Sequence, residues 1–99
     1  MVKHVILWTL KPEFTEEEKS AARAEAKRRL ESLNGKLEGL VSLRVITERL
    51  PTSTADMMLD SVFTDRDALA SYAVNPLHFE AAGYVRSVVA SRACLDFEV

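Results

Sequence analysis

The 99 residues, 47% hydrophobic and 28% charged with a net charge of −2, have the balance of an ordinary globular chain and fit a single domain over 1–99. A near-neutral chain with no basic block lacks the electrostatic footprint of a nucleic-acid binder, and no apolar run suffices for a signal peptide or membrane span. The lone Cys94 excludes an internal disulfide, which points to a reducing cytoplasm, and so short a chain gains from association.

In chain order, Val2 to Leu10 reads as a strand with His4, Ile6, Trp8 and Leu10 on one face and Lys3, Val5, Leu7 and Thr9 on the other. Thr15 and Glu18 have the spacing of a capping box. The helix they open should run from Glu16 to about Asn34, with Ala22, Ala26, Leu30 and Leu33 as its apolar stripe and Gly35 as its stop. Val41, Leu43 and Val45 then alternate with Ser42, Arg44 and Ile46 as a second strand. Met57, Leu59 and Phe63 alternate with Met58, Asp60 and Val62 as a third, and Thr64 with Asp67 should cap the next helix. Arg92 to Val99 closes the chain as a fourth strand, with Ala93, Leu95, Phe97 and Val99 as its apolar face. Cys94 in that strand has no partner cysteine and is expected to be a buried, inert thiol.

The second helix contains its own interruption. Pro76 lacks an N–H and disfavours helical geometry at Asn75, while Asn75 is a good cap and proline a favoured first helical residue. One helix should therefore stop after Tyr72 and another, out to about Val89, should start near Leu77 with His78 in its first turn. Two groups able to exchange protons are brought to one corner, although such a break also suits a plain connector. Arg86 is expected on a solvated helix face. His4 and His78 lack the spacing of a local metal motif, and no metal or cofactor is expected.

Strand, helix, strand, strand, helix, strand is the order of an α+β ferredoxin-like βαββαβ sandwich, a four-stranded antiparallel sheet with its helices on one face. Val5, Leu7, Ile46, Met58 and Val62 would leave the other face apolar, so a homodimer with two sheets face to face, a dimeric α/β barrel, is expected.

The opening Val2-Lys3-His4-Val5-Ile6-Leu7-Trp8, the Val62-Phe63 strand end, Leu69-x-x-Tyr72-x-x-Asn75-Pro76-x-His78 and the closing Arg92-Ala93-x-x-Asp96-Phe97-Glu98 resemble the stress-responsive dimeric A/B barrel (Dabb) family over nearly the whole chain. Where the family commonly has Tyr-x-x-His-Pro-x-His, this chain has Asn75 in place of the first histidine. The resemblance implies a pocket between sheet and helices for a small carbonyl or polyketide-like ligand, with His4, Trp8, Met57 and Leu59 as binding residues. In a plant polyketide cyclase of the family a tyrosine and a histidine matching Tyr72 and His78 do cofactor-free acid–base chemistry. The implied enzyme is thus a cyclase, isomerase or lyase with His78 as base and Tyr72 as donor. Met57 replaces a pocket histidine of that cyclase, and alanines replace its first-helix aromatics. A relative of the antibiotic-biosynthesis monooxygenases or haem-degrading enzymes, using Trp8, Asn75 and His78, is the other alternative.

Overall fold

A computed structural model describes residues 1–99, and its elements follow the order read from the sequence. Strands β1 (Val2–Leu10), β2 (Leu40–Ile46), β3 (Met57–Phe63) and β4 (Val89–Glu98) form one antiparallel sheet in the order β2-β3-β1-β4. Helices α1 (Glu16–Glu31), α2 (Arg66–Val74) and α3 (Pro76–Val88) cover one face. The alternation of the strands decides which face that is. Ile6, Trp8, Leu10, Leu43, Val45, Met57, Leu59 and Phe63 are buried beneath the helices. Val5, Leu7, Met58, Val62, Leu95 and Phe97 occupy the opposite parity, where Leu7 remains 44% and Leu95 65% exposed.

Thr15 and Glu18 form the expected reciprocal capping box. Ala22 and Ala26 are buried along α1, so the small stripe lets this part of the helix lie close on the sheet. The helix ends at Glu31, earlier than the spacing suggests, because Asn34 turns its amide to β2: its Nδ2 donates to the Leu43 carbonyl at 2.7 Å and its Oδ1 accepts from the Leu43 N–H at 3.0 Å. Glu31 accepts from the Val45 N–H at 2.9 Å, and Lys27 donates to the Val45 carbonyl at 2.8 Å.

Three local expectations are corrected. Asp65, not Thr64, caps α2: its carboxylate accepts from the Ala68 N–H, while the Thr64 N–H is spent on the Gly39 carbonyl. Val41 lies at an irregularity between Leu40 and Ser42 and is 50% exposed, outside the buried alternation. The last strand starts at Val89, directly on the end of α3, instead of at Arg92. Gly39 has φ +83°, and a Cβ there would come within 2.5 Å of the Ala68 Cβ, so α2 sits as close as it does only over a glycine.

Candidate functional site

The break between α2 and α3 is built as the residues predict. Asn75 is extended (φ −72°, ψ 132°), its N–H donates to the Tyr72 carbonyl at 3.2 Å, and its side chain accepts from the Leu77 N–H at 2.9 Å with Pro76 opening the next helix. The chain turns there and brings the Tyr72 and His78 rings to a centroid distance of 4.0 Å, tilted by 40°. Phe63 packs on Tyr72 at 4.9 Å, and His4 meets it edge-on at 6.2 Å.

A cavity of about 190 Å³ joins the pair, lined also by Ile6, Trp8, Leu30, Leu59, Val85 and two arginines, Arg86 and Arg92. Trp8, Leu59, Tyr72 and His78 are therefore brought together. His4 touches Tyr72 without lining the cavity. Met57 is buried in the core and borders a different groove, with Leu7, Ile46 and Arg49. That groove is larger, about 430 Å³, but its buried charge, Asp56, is already engaged by the Leu10 N–H at 2.7 Å, Arg23 at 3.3 Å and Arg49 at 3.5 Å. Asn75 also lies outside the Tyr72 cavity, its amide oxygen occupied as a cap.

Tyr72 Oη and His78 Nδ1 are buried without a hydrogen-bond partner. Burial pushes the Tyr72 hydroxyl far above its ordinary value, so it stays protonated and available as a donor. Burial also lowers the His78 pKa. The Ala73 carbonyl, near the ring but outside hydrogen-bond geometry, opposes that drop, while the positive fields of His4, Arg86 and Arg92 add to it, and the imidazole is neutral at pH 7. Arg86 lies over the Phe79 ring at 4.9 Å, and neither Arg86 nor Arg92 joins an ion pair. An apolar cavity thus presents one neutral base and one neutral donor, with two exposed positive charges free of ion pairs on its lining.

Arg92 was not visible as a lining residue from the sequence, although its parity was a signal. It pairs with Trp8 across the ladder and so shares the helix-side face. The same register overturns the expected burial of Cys94. Opposite Ile6 on the edge strand, beyond the cover of the helices, Cys94 is exposed. Partial burial and the Asp96 carboxylate push its thiol pKa up. Asp96 pairs with His4 in register, and its Oδ1 is hydrogen-bonded to His4 Nδ1. Cys94 Sγ lies 3.6 Å from the same Asp96 oxygen and 3.8 Å from His4 Nδ1.

The profile of the family described as Stress responsive A/B Barrel Domain matches residues 2–99. A dimeric protein of unknown function and ferredoxin-like fold from Bacteroides fragilis is 31% identical, with a TM-score of 0.92 over 99% of this chain and 95% of that one. Two more distant structures share the fold at 13% identity. One is a putative antibiotic biosynthesis monooxygenase from Nitrosomonas europaea (TM-score 0.78, covering 100% of this chain and 98% of that one). The other is a hydroxynitrile lyase from Passiflora edulis (TM-score 0.74, 99% and 92%). Among curated proteins none matches the chain.

Proposed function

Because the chain belongs to the stress-responsive A/B barrel domain family, we propose that it works as a homodimer in which each protomer holds a compact carbonyl compound in the Tyr72–His78 cavity and moves a proton on it without a cofactor. The observation that carries this reading is the pair of buried, unpartnered polar atoms, Tyr72 Oη and His78 Nδ1, on two residues that line one apolar cavity. Leaving such groups unsatisfied costs roughly 1–3 kcal/mol each; a ligand's carbonyl oxygen removes that cost at the Tyr72 hydroxyl, and the acidic C–H beside the carbonyl is the partner for the His78 nitrogen.

In this mechanism the neutral His78 takes a proton from the carbon next to the carbonyl. The electron pair of that C–H bond moves to the oxygen, which accepts a hydrogen bond from the Tyr72 hydroxyl, and Arg86 and Arg92 favour the developing negative charge. His78 then returns the proton to the same or a neighbouring carbon. A volume of about 190 Å³ is below the range of ~300–1,000 Å³ that suits drug-sized ligands, which favours a small ketone or aldehyde over a long polyketide.

The dimer is supported by the second sheet face, where Val5, Leu7, Met58, Val62, Leu95 and Phe97 have no helix over them, and by the dimeric state of the Bacteroides relative. The test is exchange of α-hydrogens for deuterium, followed by proton NMR, across a panel of small enolisable ketones. The wild-type protein should accelerate exchange for at least one of them and His78→Ala should not. Equal rates with both proteins and with buffer alone would sink the reading.

A further inference from the structure

A second cluster, outside that cavity, unites three side chains of types that bind transition metals. His4 and Asp96 are direct partners across the β1–β4 ladder, and Cys94 stands two residues back from Asp96 on the same face. One ligand atom from each lies within 4.8 Å of the others. We propose that His4 Nδ1, Cys94 Sγ and an Asp96 carboxylate oxygen bind a divalent ion of the zinc class, with solvent in the fourth position.

The geometry carries the proposal. Tetrahedral zinc with a sulfur at ~2.3 Å and nitrogen or oxygen at ~2.0–2.1 Å places sulfur about 3.6 Å from each of the lighter ligands. The observed separations from Cys94 Sγ are 3.8 Å to His4 Nδ1 and 3.6 Å to Asp96 Oδ1. The third edge, between His4 and Asp96, is now closed by a hydrogen bond and has to open. Asp96 can do this by rotating, because its side chain is 45% exposed, whereas that of His4 is 11% exposed and its ring is held edge-on by Phe63 and Tyr72. A thiolate, a carboxylate and a neutral imidazole together balance a charge of +2. Two of the ligands lie on an exposed strand, which supplies both an entry path and the open fourth position. The local sequence hid the site because its first ligand is on the first strand and the others are on the last.

Cobalt(II), added to the reduced protein under a phosphine that does not compete for metal, reads thiolate ligation directly. A near-ultraviolet charge-transfer band should rise and saturate at one ion per protomer, and Cys94→Ser should lack it. Zinc affinity, measured against a chromophoric chelator, should fall by roughly tenfold or more in Asp96→Asn, because a neutral amide is a poorer ligand than a carboxylate and even groups behind the ligands cost that much when altered. Both positions are exposed, and circular dichroism checks that the variants are folded. Absence of the band at saturating cobalt, its survival in Cys94→Ser, or equal zinc affinity in the wild type and the Cys94→Ser, Asp96→Asn double variant would overturn the proposal. None of these readouts depends on the Tyr72–His78 pair.

Discussion

Tyr72 and His78 have their rings 4.0 Å apart although one closes α2 and the other opens α3, because the extended Asn75 turns the chain between the two helices. Their closeness is set by a backbone break, so the chemistry can be removed without removing the packing. His78→Ala should lower deuterium exchange by about 10²–10⁴-fold, the range for loss of a general base, while thermal melting moves by only a few degrees. A large fall in melting temperature with unchanged ligand binding would make His78 part of the scaffold.

Tyr72→Phe gives an opposite pair of signs. The hydroxyl is buried and unpaired, so its deletion should leave the free protein as stable or up to ~1 kcal/mol more stable in denaturant melts. The same change should cost about 10²-fold in turnover, because the developing oxyanion loses its donor.

The histidine also sets a pH dependence. Burial lowers its pKa in the folded chain, so the unfolded chain binds the extra proton first as pH falls. Stability from this residue is therefore complete above the ordinary histidine value of about 6.5 and declines as the pH drops from there toward the folded pKa. Urea titrations across that window should show the decline in the wild type and a flatter curve in His78→Ala. The acid limb of kcat/KM follows the folded-state histidine alone and should therefore lie at lower pH than an ordinary histidine would give.

Val62 tests the other face of the sheet. If two copies bury it, Val62→Lys places an unpaired charge in a dry contact, and light scattering should then report monomers or unfolded chain at concentrations where the wild type is dimeric. A wild-type mass that is monomeric at micromolar concentration, with unfolding independent of dilution, would remove the dimer from the proposed function.

Asp56 is a structural carboxylate that the sequence did not reveal. It is 6% exposed and receives the Leu10 N–H together with Arg23 and Arg49. Asp56→Ala strips the carboxylate from the Leu10 N–H and from Arg23, which keeps only the backbone carbonyl of residue 56 at 3.0 Å, and should cost about 3 kcal/mol in chemical denaturation.

Features written in nearby residues were legible from the sequence. The alternation of Ile6, Trp8 and Leu10, the Thr15–Glu18 box and the Asn75–Pro76 break each involve neighbours, and each is found where the spacing puts it. Features that depend on register were not. Arg92 joins the cavity and Cys94 meets His4 because β4 pairs with β1 at the far end of the chain, a choice that no local pattern encodes. Thr64 with Asp67 had the capping-box spacing, but the helix starts one residue later, at Arg66, so Asp65 takes the cap position.

The side chains of α1 that reach β2 bear on how copies of the sheet can meet. Lys27, Glu31 and Asn34 occupy the outward backbone groups of Leu43 and Val45, so this border offers no free donors or acceptors there to an incoming strand. Fibrous growth by strand addition needs two open borders per copy, one to receive and one to extend. β4 is the other edge strand, and edge-to-edge pairing through that border alone would join two copies without extending into a ribbon.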